Sequence, residues 1–147
     1  MVVKLLLMFL YFVTASYASR TPTEIKNWIL AEALSCSSEV QLSENELQML
    51  VSHKLPNSKS SKCYLACVYK KVGWLDAKGR YQADKVKSFV SDEYAGDAAK
   101  IEASQKLFDT CKPADDKDEG QDCERANTMT KCFLEHGPKM GFNLDTI

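Results

Sequence analysis

The segment Cys63-Tyr64-Leu65-Ala66-Cys67 places two cysteines four positions apart, with apolar residues between them. In an α-helix, residues four positions apart lie on the same face, so the pattern predicts a helix with both sulfurs on one side. Two such cysteines do not bond readily to each other, because their Cβ atoms point side by side. Each sulfur therefore needs its own partner, and this helix is predicted to be the centre of two crosslinks.

The N-terminal segment has the features of a secretory signal. Lys4 provides a positive charge, residues 5–13 form an apolar run, and Ser16 and Ala18 provide the small residues of a cleavage site. The run is too short to span a bilayer. We expect residues 1–18 to be removed and residues 19–147 to form one secreted, extracellular domain. The alternative is a buried N-terminal helix of a cytosolic protein.

The cysteine content predicts disulfides. The chain of 147 residues contains six cysteines, an even number, which in a small secreted domain is typical of three bridges. Zinc binding is the alternative, but no Cys-x-x-Cys occurs. Six cysteines allow fifteen pairings, and the sequence alone does not choose among them. The six residues are Cys36, Cys63, Cys67, Cys111, Cys123 and Cys132.

Helical periodicity runs through the rest of the chain. Thr21 to Glu24 and Ser43 to Glu46 have the capping-box pattern that begins a helix. Apolar residues then recur at helical spacing, and long alternating β-branched runs are absent. The sequence predicts an all-α domain. Four helices are predicted at about 22–36, 60–72, 97–111 and 121–136. A further helix should begin at about 44 and end before Pro56, and another should begin at about 82.

Apolar side chains on these helices are numerous enough to line an internal cavity. Three disulfides, at roughly 2–4 kcal/mol each, would allow the domain to tolerate one. The alternative is that the same side chains simply fill the core. The candidate lining residues are Leu65, Val68, Tyr69, Val72, Trp74, Phe89, Met129 and Phe133.

Catalytic and metal-binding motifs are not found in the sequence. No His-Glu-x-x-His or Ser-His-Asp grouping occurs, so we expect no enzyme activity, no catalytic residues, no metal and no cofactor. The formal net charge of −1 gives no basic field that would attract nucleic acid.

The cysteine spacing, Cys-x26-Cys-x3-Cys-x43-Cys-x11-Cys-x8-Cys, resembles that of the insect odorant-binding proteins, a family of pheromone and general odorant binders. The resemblance covers essentially the whole mature chain. It implies about six helices around an enclosed apolar pocket, and the pairing Cys36–Cys67, Cys63–Cys123 and Cys111–Cys132. It further implies a carrier of small hydrophobic molecules in sensillar lymph or another body fluid, with a chemosensory receptor or a second copy of the chain as candidate partners.

In many members of that family, the segment after the sixth cysteine lies over the pocket. Here the tail, residues 137–147, contains the apolar residues Met140, Phe142, Leu144 and Ile147. We expect the tail to act as a wall or lid, with Phe142 in contact with the ligand; the alternative is a frayed terminus.

The sequence therefore supports two main hypotheses about function. In the first, an internal cavity holds an apolar ligand, with hydrogen bonds from Tyr64, Tyr69 or Trp74. In the second, the chain is a secreted, disulfide-bonded helical effector or inhibitor that acts through its surface. Enclosed apolar area favours the first, and a large exposed apolar patch favours the second.

Overall fold

The structure is a computed structural model, and it describes residues 20–113 and 121–142. The predicted signal, residues 1–18, and the end of the tail with Leu144 and Ile147 lie outside the described residues. Within the described part of the chain there are six α-helices, one short 3-10 helix and no β-strand, so the predicted all-α class is confirmed. The helices are α1 (Pro22–Cys36), α2 (Glu44–Val51), α3 (Lys59–Lys71), α4 (Ala83–Glu93), α5 (Ala98–Cys111) and α6 (Asp122–His136), followed by the 3-10 helix Pro138–Met140.

The first two helices begin at the predicted capping boxes. The Glu24 amide donates to the Thr21 hydroxyl (3.3 Å), and the Thr21 amide donates to the Glu24 carboxylate (2.6 Å). Ser43 and Glu46 repeat the arrangement at 3.3 and 2.8 Å. Each box satisfies amide groups that the first helical turn leaves without partners.

Three disulfides connect four of the six helices. The pairs are Cys36–Cys67, Cys63–Cys123 and Cys111–Cys132, with Cα–Cα distances of 5.9, 4.3 and 5.5 Å. This is the pairing that the family resemblance implies. Because Cys63 and Cys67 both belong to α3, the covalent order in space is α1–α3–α6–α5.

The most tightly packed part of the core lies between α3 and α6. The buried residues there are Ala66, Tyr69, Leu75, Ala126 and Met129. A second buried group joins α3 to α1 around the Cys36–Cys67 bridge and includes Tyr64 and Val68. Both sides of α3 are therefore occupied by side chains of its neighbours. Among the helices described, none is long and apolar enough to cross a membrane.

Removal of single disulfides should destabilise the domain in the order of the loops they close. Cys63–Cys123 spans 60 residues and Cys111–Cys132 spans 21. Loop-closure entropy predicts losses of about 4 and about 3 kcal/mol for the respective double alanine variants. Urea unfolding of both variants, with the m-value fitted separately for each, measures the two free energies of unfolding. A larger loss from the Cys111–Cys132 variant would contradict this ranking.

Candidate functional site

A cavity of about 220 Å³ is bordered by residues of α1, α4, α5 and α6. Among the described residues, no side chain of α2 or α3 lines this cavity. The described residues leave the cavity partly open to solvent, whereas the resemblance implied an enclosed pocket. The walls consist of Ile25 and Ile29 on α1, Trp74 after α3, Phe89, Val90 and Tyr94 at α4, Ser104, Leu107 and Phe108 on α5, Phe133 on α6, and Gly137 and Phe142 beyond it.

The backbone around Trp74 fixes the position of its ring. Gly73, with φ of 81°, ends α3 in a left-handed conformation that suits glycine. The Trp74 amide donates to the Tyr69 carbonyl (2.8 Å), and the Trp74 carbonyl accepts from the Gln82 amide (2.9 Å). Trp74 is thus held by the end of α3 on one side and by the start of α4 on the other.

Aromatic rings surround the Trp74 indole. Its centroid lies 4.9 Å from that of Phe108, 5.8 Å from Phe89 and 6.1 Å from Phe133. All three pairs meet edge to face, an arrangement that adds to the stabilisation from apolar burial. Since the rings come from α4, α5 and α6, the indole joins three walls of the cavity.

Two polar side-chain atoms of the cavity walls are buried without a hydrogen-bond partner among the described residues: Trp74 Nε1 and Ser104 Oγ. The Ser104 hydroxyl lies close to the Tyr94 phenol and interacts with it. Burial, together with the negative charge of Glu93, raises the pKa of the Tyr94 phenol, while the nearby Ser104 hydroxyl opposes the change. None of the wall residues is ionised at neutral pH, so the site is apolar with a small number of polar atoms.

Four of the predicted lining residues lie in the cavity wall: Trp74, Phe89, Phe133 and Phe142. The other five belong to the packed core. Tyr69 and Met129 are buried between α3 and α6, with Leu65 packed against them, while Val68 and Val72 belong to the group around Cys36 and Cys67. The physical reason is that α3 is bonded to a neighbour on each side, so its apolar faces are covered before they can reach the cavity.

The hydroxyls of Tyr64 and Tyr69 are already engaged within the protein. Tyr64 donates to the Ala33 carbonyl (2.7 Å). Thr130 donates to the Ala126 carbonyl (2.8 Å), so its oxygen accepts from Tyr69 (2.7 Å). Of the three side chains expected to bond to a ligand, only Trp74 lines the cavity with an unpartnered polar atom in the described structure.

The beginning of the tail folds back toward the cavity. The Phe142 amide donates to the Gly137 carbonyl (3.0 Å), which brings the Phe142 ring to the wall. A Cβ atom at position 137 would lie 2.7 Å from the Phe133 carbonyl oxygen. Glycine is therefore needed where α6 turns into the 3-10 helix. Of the predicted lid, residues 143–147 lie outside the described structure.

Sequence reasoning did not assign eight wall residues to the cavity. They are Ile25, Ile29, Val90, Tyr94, Ser104, Leu107, Phe108 and Gly137. An apolar pair at positions i and i+4, such as Ile25 and Ile29 on one face of α1, was a usable signal. That signal does not separate a residue facing a cavity from one packed in the core. Among the described residues, no group of three or more histidine, cysteine or carboxylate side chains could hold a metal ion.

Residues 18–136 match the PBP/GOBP family, and the chain belongs to this family. It is a family of odorant-binding carrier proteins, not of enzymes. The helical fold, the three disulfides and the apolar cavity agree with that membership.

Individual relatives are similar over most of their length. General odorant-binding protein 28a of Drosophila melanogaster is 29% identical over 77% of this chain and 78% of its own. General odorant-binding protein 19d of the same species is 26% identical over 77% of this chain and 74% of its own.

Solved structures give the same result for the fold. The odorant-binding protein dmelOBP28a of Drosophila melanogaster has a TM-score of 0.64 at 27% identity, covering 84% of this chain and 100% of its own. A pheromone-binding protein of the cockroach Leucophaea maderae, in complex with the fluorescent reporter ANS, has a TM-score of 0.60 at 19% identity, covering 80% and 98%. A fatty acid binding protein of the blowfly Phormia regina has a TM-score of 0.57 at 22% identity, covering 79% and 94%. The last two likenesses concern the fold alone.

Ionisation of Tyr69 should weaken the domain at alkaline pH. Burial raises the pKa of the Tyr69 phenol well above its ordinary value of 10.0, so the unfolded phenol loses its proton first as the pH rises. Stability from this group is complete below about pH 10 and then falls by about 1.4 kcal/mol per pH unit. The Tyr69→Phe variant lacks this loss. Urea unfolding of both proteins from pH 8 to 11 should therefore show their stability difference shifting in favour of the variant above pH 10; a constant difference would contradict it.

Proposed function

We propose that this protein is a secreted carrier that holds a small, predominantly apolar molecule in the cavity bounded by α1, α4, α5 and α6. The observation that carries the proposal is an apolar cavity of about 220 Å³ in a chain of the PBP/GOBP family. Burial of ligand surface, at roughly 25 cal/mol per Å², supplies the affinity.

The size of the cavity limits the ligand. An engineered cavity of about 150 Å³ takes up benzene, which corresponds to about 25 Å³ per non-hydrogen atom. On that scale, the cavity holds about nine non-hydrogen atoms, the size of a volatile molecule. A longer chain would have to extend through the open side of the cavity or displace a wall residue.

Delivery to a chemosensory receptor, and secretion into a body fluid, are parts of this proposal that rest on the family. Secretion behind a signal peptide is typical of its members, and the N-terminal segment of this chain has the corresponding pattern. Olfaction is the commonest role in the family. A large exposed apolar patch would favour the surface-acting effector, and the exposed large apolar residues among those described are Leu30, Leu34, Leu47 and Val51.

Propylbenzene tests the cavity without involving polar contacts. Titration of the disulfide-bonded protein, followed by ¹H–¹⁵N NMR, should give saturable one-site binding with a dissociation constant on the order of 0.1 mM. Ile29→Trp fills the cavity from the α1 wall and should weaken binding at least tenfold. Leu30→Trp is the matched control, because Leu30 is the next residue of α1 and is 49% exposed; its affinity should stay within about twofold of the wild type. Equal affinities for the two variants, or no binding by the wild type, would refute a ligand in this cavity.

The secretion part has its own test. Expression of the full chain in insect cells should release the protein into the medium, with Ser19 as the first residue on N-terminal sequencing. Protein that stays inside the cells with Met1 retained would contradict a cleaved signal.

A further inference from the structure

We propose that a ligand longer than the cavity is accommodated by displacement of α4 from α1, and that the Arg20–Glu93 ion pair limits this displacement and so the length of ligand that binds. The inference rests on the proposed carrier function and identifies residues that determine the ligand size which the same site accepts. Neither residue lines the cavity, so both act on the ligand through the wall.

The first step concerns which wall of the cavity can move. Each of α1, α5 and α6 contributes at least one cysteine to a disulfide, whereas α4 contains none. Phe89 and Val90 of α4, with Tyr94 at its end, nevertheless form part of the wall. A ligand that needs more room therefore meets no direct covalent restraint at α4.

The second step concerns the contact between α4 and α1. Four side chains, which we call the α1–α4 seam, make this contact: Arg20 before α1, Trp28 on α1, and Phe89 and Glu93 on one face of α4. The Arg20 guanidinium is paired with the Glu93 carboxylate and lies over the Trp28 ring, 4.6 Å from its centroid. The centroids of the Trp28 and Phe89 rings are 5.7 Å apart. An ion pair, a cation–π contact and a ring contact thus close the seam.

The third step connects the seam to the ligand. Phe89 belongs to both, because its ring lines the cavity and also contacts Trp28. Tyr94, at the end of α4, interacts with Ser104 of α5, so α4 is attached to α5 on another side. A ligand that presses on Phe89 therefore turns α4 about its contact with α5, and this movement separates Glu93 from its arginine partner.

The fourth step concerns the energy of opening. The Glu93 side chain is only 3% exposed, and its Oε2 has no partner among the described residues. A buried ion pair gives up hydration that the attraction between its charges repays only in part, so it holds two surfaces together less strongly than packed apolar side chains. When the seam opens, water reaches both charged groups and the unpaired oxygen. The seam can therefore open reversibly, at a cost that a longer ligand meets with its additional apolar burial.

The test compares 1-octanol, which is about the size that the cavity holds, with 1-dodecanol, which has the same hydroxyl and a longer chain. Glu93→Gln removes the negative charge with little change of shape. It should lower the dissociation constant of 1-dodecanol, relative to that of 1-octanol, about fivefold, because the open state becomes more populated. Arg20→Met leaves the buried carboxylate without its partner and should change the ratio at least as much.

Lys62→Met is the matched control variant. Lys62 on α3 is paired with Glu124 on α6 at 3.0 Å, so this ion pair also joins two helices. Here, however, Cys63–Cys123 holds the helices together, and Lys62 does not line the cavity. The ratio of the two dissociation constants should stay within about 1.5-fold of the wild type.

NMR supplies a direct readout of the ion pair. The Arg20 Nε–H resonance, identified by its loss in Arg20→Met, should move toward the position of a hydrated arginine when 1-dodecanol binds to the wild type. It should stay in place when 1-octanol binds, because the shorter ligand leaves the seam closed.

An unchanged ratio in both Glu93→Gln and Arg20→Met would overturn the inference, since the longer chain would then leave through the open side of the cavity. So would an Arg20 resonance that does not respond to bound 1-dodecanol, or a failure of 1-dodecanol to bind the wild type and both variants. In each case 1-octanol and propylbenzene still bind, and the carrier function stands. If neither of these two ligands binds the correctly bonded wild type, the carrier function itself fails and the inference fails with it.

Discussion

Helix α3 is covalently tied in two directions, and the rest of the structure depends on this constraint. Cys67 connects it to α1 and Cys63 connects it to α6, which a third bridge joins to α5. Three of these helices, α1, α5 and α6, keep their places without filling all the space between them and α4. The partly open space of about 220 Å³ leaves apolar wall atoms without packing partners, which costs free energy. The three bridges, at roughly 2–4 kcal/mol each, help to offset that cost.

The fold consequently has a closely packed region between α3 and α6 and a cavity bordered by α1, α4, α5 and α6. Between α3 and α6, Met129 is 1% exposed and the Tyr69 hydroxyl is bonded to Thr130. Across the domain, the apolar faces of α1, α4 and α5 meet incompletely and leave the cavity. Trp74 stands at the boundary, with its backbone bonded to the end of α3 and its ring among the cavity walls. The packed core between α3 and α6 therefore positions the Trp74 indole in the cavity wall.

Much of this could be predicted from the sequence, because the signals are local. Capping boxes at Thr21 and Ser43 marked two helix starts, and the four-residue spacing of Cys63 and Cys67 indicated that each had a separate partner. The pairing itself came from the family resemblance. The cavity was harder to predict, since Val68 and Val72 at the end of α3 have the same four-residue spacing as Ile25 and Ile29 on α1, yet only the second pair lines the cavity. Whether such a pair is buried in the core depends on whether other helices are held against both sides of its own helix, as the disulfides hold α1 and α6 against α3. Residues nearby in the sequence do not determine this.

Ser104 is a cavity residue that could not be identified from the sequence. A single serine one turn before Phe108 on α5 resembles an ordinary surface residue in the sequence, yet it is 3% exposed and borders the cavity. Apolar burial gives a carrier affinity but little discrimination, because one methylene more or less changes binding only modestly. Unpaired polar atoms in the wall act differently: a ligand that leaves them unpaired forgoes the stabilisation that a matching ligand gains. Because most of the described wall is apolar, binding in this cavity would depend mainly on apolar burial, and its few polar atoms are where discrimination between ligands could arise.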